Sequence, residues 1–347
     1  MSLRLASLAL LLLLCSLAAA QQNTDNRPVA PPGKLVDIGG YRLHLNCTGK
    51  GEPTVVLING SGDFSFDWGL VQPDSSRFAR VCSYDYGGFA WSDPGPTPRT
   101  MRQDAYELHA LLKAAQIKGP YVLVGHSLGG LITRVYAQAH PAEVAGIVLI
   151  DSTHEDTTLF MQGKPVRMRE IARDVTVPAV QTMKTSPPKP ATQEEIDQFK
   201  NRLEKSGPPK IGTPFDKLPA TRQAMRVWAL SQPPRASGSE GFLAEELKEM
   251  YLARAKQPFP LADKPLIVLL PKFQYGNPPG GLSVEEWKRI SDEKRQQKLE
   301  FTNLSRNSRL IIAENSGHHI QLDEPQIVID AIRMVVDAAK RHSKLAP

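Results

Sequence analysis

The segment that most limits what this chain can fold into is Gly125-His126-Ser127-Leu128-Gly129. It directly follows an apolar strand-like run, Tyr121 to Val124, and directly precedes a helical stretch, Leu128 to Ala139, that stops before Pro141. A strand that runs straight into a helix must turn sharply, and glycines two before and two after Ser127 leave room for that turn. The turn holds a serine hydroxyl out at the carboxyl end of the strand. The helix start aims free backbone N–H groups, with a partial positive charge, at the same point. This is the context that a nucleophile elbow requires.

The rest of the chain has the form of a sheet that could carry such an elbow. Lys34 to Ile38 and Tyr41 to Cys47 are short strand candidates joined by Gly39-Gly40, which suits a hairpin turn. Thr54 to Ile58 is a continuous apolar run, the mark of a strand buried on both faces. Arg80 to Tyr84, Tyr121 to Val124, Val144 to Ile150 and Pro265 to Leu270 repeat that form, and Arg309 to Ala313 is a weaker last member. Between them lie helical stretches: Thr100 to Ala115 with Thr100 as its cap, Leu128 to Ala139, and Pro325 to Lys340 with Ile327, Ile329, Ile332, Val335 and Val336 at nearly helical spacing. Strands alternating with helices predict a mostly parallel α/β sheet.

The alternation breaks once, over His154 to Ala262, which shows no clear strand. Much of the chain's surplus of proline sits there, including Pro187, Pro188, Pro190, Pro208 and Pro209 among 29 in all. A structureless loop of that length does not suit a compact domain. The segment 154–262 is therefore expected to be a helical cap or lid between two parts of one core, residues 34–153 and 263–347.

Residues 1–20 are unlike the rest. Arg4 carries a charge, Leu5 to Leu17 is nearly unbroken apolar, and Ala18-Ala19-Ala20 ends the run. This is the pattern of a secretory signal peptide, shorter than the ~20 residues of a membrane span; a retained anchor helix is the alternative. Residues 21–33 read as a flexible polar leader. The expected location is secreted or periplasmic, with no stable membrane span after cleavage. Removing Arg4 lowers the formal charge of +6 by one, and no basic stripe with interleaved aromatics appears, so nucleic-acid binding has no support. Removing Cys15 leaves Cys47 and Cys82, for which a disulfide and two buried thiols are both allowed.

A serine hydroxyl needs a base within hydrogen-bond reach, expected far downstream. His318 and His319 follow the last strand candidate and precede the last helix, which places them at the same carboxyl edge. An acid must orient the imidazole. Pro271 to Val284 contains no carboxylate, whereas Asp151 ends the strand Val144 to Ile150 at that edge. Asp151 is the preferred acid, with Glu285 or Glu286 as alternatives and Glu155, Asp156 or a two-residue site behind them. The oxyanion donors expected are the N–H of Leu128 and of Ser61, with Gly60 next, in the Gly60-Ser61-Gly62 turn. No spacing specifies a metal, and no cofactor is expected.

Together these residues resemble the α/β-hydrolase superfamily, in particular its single-domain serine hydrolases with a helical cap, over about residues 35–347. The resemblance is carried by Ile58-Asn59-Gly60, the run from Tyr84 to Ser92, the elbow, and Gly317-His318 followed by Asp323 and Pro325. That last spacing places the family's histidine on His318 rather than His319. Asn59 stands where the family often has histidine, and Tyr86 where it often has arginine. The family's sheet order would set Tyr41 to Cys47 antiparallel beside Arg80 to Tyr84, which favours a Cys47–Cys82 disulfide. The function implied is an exported serine hydrolase acting on a small-molecule carboxylic ester. Methionines and aromatics in the cap give a lean toward a hydrophobic acyl group, although residue by residue packing within the cap is the favoured reading of them. Amidase, lactonase, thioesterase or perhydrolase chemistry would use the same residues, and a non-catalytic binding protein would keep the fold without turnover. A serine nucleophile argues against the dehalogenase and epoxide hydrolase chemistry that this superfamily runs on aspartate.

Overall fold

Eight strands form one sheet in the order β1-β2-β4-β3-β5-β6-β9-β10. In chain order they are β1 (Lys34–Asp37), β2 (Arg42–Thr48), β3 (Thr54–Ile58), β4 (Val81–Tyr84), β5 (Tyr121–His126), β6 (Val144–Ile150), β9 (Leu266–Pro271) and β10 (Ser308–Ala313). The computed structural model describes residues 29–161, 163–237, 241–257, 260–272, 276–278 and 280–345, so the expected signal peptide and most of the leader lie outside the described residues. Every pairing from β4 through β10 is parallel, whereas β1–β2 and β2–β4 are antiparallel. Cys47 and Cys82 stand opposite each other in the β2–β4 register and are joined in a disulfide, with Cα atoms 4.0 Å apart.

The apolar runs become strands because helices cover the sheet on both faces. Val56, Ile58, Leu123 and Leu149 face α1 (Met101–Ala114) and α2 (Leu128–Ala139), within a cluster that includes Leu108, Leu111, Leu131 and Tyr136. Val55, Leu57, Val122, Val124 and Val148 turn the other way, into a cluster with Val328, Ile332, Val335 and Val336 of α7 (Pro325–Arg341). Two-residue periodicity thus sends alternate side chains of each strand into opposite layers. Each such side chain, fully buried, contributes about 2 kcal/mol of transfer free energy. Thr100 caps α1 by accepting from the Gln103 amide, as expected.

The segment 154–262 adds no strand to this sheet. It does contain a two-stranded hairpin, β7 (Thr158–Met161) paired with β8 (Lys164–Arg167), which corrects the expectation of a strandless region. Four-residue strands with Pro165 inside one of them give no readable alternation. Three helices follow: α3 (Gln193–Ser206), α4 (Ala220–Leu230) and α5 (Leu243–Arg254). Neither α3 nor α4 contains a buried residue. In α5, Glu246 is buried and accepts from the Met101 and Arg102 amides, 2.8 and 3.0 Å away, at the open N-terminus of α1. Other links are Trp91 stacked on Trp228 at 5.1 Å, Lys217 on Asp323 at 2.5 Å, and the Arg235 guanidinium on the carbonyls of Gly88, Ala90 and Ser92. One further helix, α6 (Val284–Leu299), lies between β9 and β10.

Candidate active site

Ser127 sits between β5 and α2 with φ 52° and ψ −117°, a conformation that L-residues rarely adopt and that the surrounding packing holds in place. A side chain at Gly125 would meet the Gly129 carbonyl at 2.5 Å, and one at Gly129 would meet the Ile58 carbonyl at 2.3 Å, so both glycines are required by close approach. The Ser127 amide donates to the Ile150 carbonyl (3.1 Å), and its carbonyl accepts from Gly130 and Thr153. Those bonds fix the elbow to the end of β6, from which Asp151 emerges.

Asp151 is buried, with its amide bonded to the Leu269 carbonyl (2.8 Å). His318 lies in the loop after β10, and its Nδ1 is 2.6 Å from Asp151 Oδ2. The structure therefore brings His318 and Asp151 together. The Ser127 hydroxyl and His318 Nε2 have no hydrogen-bond partner among the described residues, so the serine–histidine bond is not made in this structure. Catalytic hydrogen bonds commonly tighten only with substrate present. Glu285 and Glu286 are exposed at the first turn of α6, where Glu286 closes a capping box with Ser283; neither is placed against His318. Glu155 instead pairs with Arg134 and Arg254, and Asp156 with Arg167 and Arg169.

Leu128 is the first residue of α2, so its N–H has no intrahelical acceptor. Ser61 lies exposed in the turn closed by the Asp63 amide on the Gly60 carbonyl (3.3 Å), and its own amide has no acceptor among the described residues. The two departures from the family pattern meet here. Tyr86 donates its hydroxyl to the Asn59 carbonyl (2.7 Å). The Asn59 carboxamide donates to the Tyr84 carbonyl and accepts from the Trp68 indole, each at 2.8 Å.

Sequence reasoning missed four residues around this edge. His126, the residue before Ser127, is buried with Nε2 3.0 Å from the His318 carbonyl and Nδ1 3.1 Å from Asp63 Oδ2. The His126 ring thus bridges the His318 carbonyl and the Asp63 carboxylate, and burial above all holds its imidazolium form below the usual histidine range. The Asp63–His126 pair thereby ties the Ser61 turn, the elbow and the His318 loop together, with His319 Nε2 also 3.6 Å from Asp63. Burial opposes charge on Asp63, yet the His126 hydrogen bond and the nearby His319 ring hold its carboxyl well below the usual range. Arg226 of α4 reaches across to Asp67 and stands 3.9 Å from Asp63; burial still pushes the Asp67 carboxyl up to about 7. Lys298 of α6 places Nζ 2.5 Å from Asp151 Oδ1. These contacts join distant stretches of chain, and no local spacing rule marks them.

The sequence profile described as alpha/beta hydrolase fold matches residues 53–234. Among curated proteins, the chain is 25% identical over 334 residues to the probable transporter efuK of Hormonema carpetanum, a match that takes in 90% of this chain and 44% of that protein. The chain spans between 21% and 51% of the length of six of the curated relatives it matches. Among solved structures, a thermophilic esterase from Thermogutta terrifontis superposes with a TM-score of 0.53 at 20% identity, covering 86% of this chain and 94% of that one. The epoxide hydrolase CorEH gives 0.55 at 18% identity, covering 89% and 99%. At these identities the likeness is one of fold.

Proposed function

The chain belongs to the α/β-hydrolase family, and on that premise we propose that it is an exported serine hydrolase that cleaves carboxylic esters through an acyl-enzyme on Ser127. The observation that carries this reading is the 2.6 Å hydrogen bond between His318 and Asp151 at the sheet edge where the strained turn holds Ser127. In this scheme the Ser127 oxygen attacks the acyl carbon while His318 Nε2 takes its proton. The imidazolium so formed is steadied by Asp151 through Nδ1–H. The oxyanion accepts from the Leu128 and Ser61 amides, and His318 then returns the proton to the departing alcohol. A water molecule repeats the sequence to free the acid.

The segment 154–262 serves as the lid in this proposal, tethered by Arg226, Lys217 and Arg235 to loops around the elbow. Phe64 and Phe66, stacked on the loop that follows Ser61, support a hydrophobic acyl group. The signal pattern of residues 1–20 supports export.

Labelling with a fluorophosphonate probe tests the nucleophile. Wild type is expected to label, and Ser127→Ala is not. A folded wild-type protein that fails to label, and that hydrolyses none of a chain-length series of p-nitrophenyl esters, would instead be a binding protein on this fold.

A further inference from the structure

Asp151 serves two partners. Its Oδ2 is 2.6 Å from His318 Nδ1, and its Oδ1 is 2.5 Å from the Lys298 ammonium, which approaches from α6 on the far side of the carboxylate. The Asp151 side chain is 6% exposed and that of Lys298 is 24%, so little water screens either contact. We infer that Lys298 is a positioning residue that sets the pH range of the reaction, by sharing the carboxylate on which His318 depends. The inference rests on the proposed roles of Ser127, His318 and Asp151.

The acid's task is to steady the positive charge that His318 acquires when it takes the serine proton. A carboxylate that already faces a permanent ammonium does this less well, because the two cations repel across it. Activity is then expected to extend to lower pH than it would without the ammonium. Burial works against charge on Asp151, but the ammonium of Lys298 and then the His318 hydrogen bond hold its carboxyl well below the usual range, so the carboxylate stays ionised while shared.

The surrounding charges favour the same outcome. One turn earlier on α6, Lys294 lines the same cleft of about 300 Å³, beside Trp287, Arg295 and His318. Burial, and then the charge of Lys298, hold the Lys294 ammonium below the usual lysine range, against a weaker attraction to Asp151. At the end of β9, Lys272 reaches the cleft but is paired with Glu314 at 2.9 Å. From β5, the buried His126 ring lies 4.6 Å from His318, with Asp63 behind it; on its own loop, His319 lies at 5.2 Å. Beyond His319, Asp323 is occupied by Lys217. Among these groups Lys298 is the cation in direct contact with the triad acid.

The test is the pH dependence of kcat/KM for a p-nitrophenyl ester in wild type, Lys298→Gln, Lys298→Arg and Asp151→Asn. Lys298→Gln keeps a hydrogen-bond donor for Oδ1 and removes the charge. The acid-side midpoint of its profile should move up by about one pH unit, with the plateau changed less than about threefold. Lys298→Arg, which retains the charge, should return the midpoint to that of wild type. A Lys298→Gln midpoint equal to that of wild type, even with a lowered plateau, would leave Lys298 a purely structural contact and overturn the inference. Matching thermal unfolding of the variants verifies their folding, and Lys298→Met, which removes the charge at similar volume, carries the same midpoint test if Lys298→Gln does not fold. Failure of the underlying reading looks different: Asp151→Asn would then keep wild-type activity, or Ser127→Ala would still turn over.

Discussion

The parallel sheet and the inserted segment 154–262 are built by opposite means. Every residue of β3 and β5 is buried, and their side chains pack into two apolar layers. In contrast, α3 and α4 contain no fully buried residue; the segment joins the core through a few side chains such as Met168, Leu247 and Leu261, and elsewhere through single polar or aromatic contacts to the loops it overlies. Close packing resists displacement along a whole element, whereas helices that are only partly buried are held at isolated points. A sheet edge can therefore hold reacting atoms to fractions of an ångström while the segment beside it moves. The proposed division of labour is chemistry on the rigid part and admission of substrate by the loose one.

The largest expected effects break that comparison if they fall on the wrong side. Asp151→Asn should lower ester turnover by roughly four orders of magnitude, as expected for a triad acid that fixes the imidazole tautomer. Arg226→Met, at the tether of α4 to Asp67, should raise KM and leave kcat within about threefold, because it acts on admission. Steady-state kinetics on both variants decides the matter; a loss of kcat at Arg226 as large as that at Asp151 would erase the distinction.

Next in size is the staple between β2 and β4. Reducing Cys47–Cys82, which encloses a separation of 35 residues, should cost about 4 kcal/mol of unfolding free energy in the chain-entropy account. Urea melts with and without reductant measure it. Thiol titration of denatured protein should find two groups more after reduction.

Truncations sharpen the contrast further. Leu123→Ala in β5 should cost about 3 kcal/mol by leaving a cavity. Leu252→Ala in α5, at a side chain 50% exposed, should stay within about 0.5 kcal/mol. Equal losses would mean that the segment is packed as tightly as the sheet.

A last effect, graded by pH, concerns the joint between the two regions. His154, at the start of the segment, is pushed down to about 4 by burial, with Arg254 2.6 Å from its Nε2. Its folded value lies below the unfolded one, so its contribution is fully present above about pH 6.5 and is lost as the pH falls toward 4, by up to about 3 kcal/mol. His154→Gln should therefore show an acid-side stability slope shallower than that of wild type in melts between pH 7 and 4.

The interior of the sheet was legible because strands buried on both faces must be continuous apolar runs, as β3, β5, β6 and β9 are; β1 and β2 were marked instead by the Gly39-Gly40 turn between them. The hairpin β7–β8 was not, because it is short, half-exposed and interrupted by Pro165. Around the candidate site, Ser127 and Asp151 could be located because each ends a recognisable strand at one edge. Lys298 could not, since it is 147 residues from Asp151 in sequence and sits on a helix rich in lysine and arginine, where nothing local sets one cation apart. Asp63 and Arg226 share that difficulty: their partners are chosen by packing.

The Asn59–Tyr86 contact bears on which sequences this loop can drift into. Asn59 engages Trp68, Tyr84 and Tyr86 at once, so alanine at position 59 would leave the buried Trp68 indole without its acceptor, and phenylalanine at position 86 would leave the Asn59 carbonyl without that donor. Each single step leaves a buried unpaired group, which costs about 1–3 kcal/mol or more. Substitutions at the two positions are thus expected to be non-additive in stability, since each alters the footing of the other.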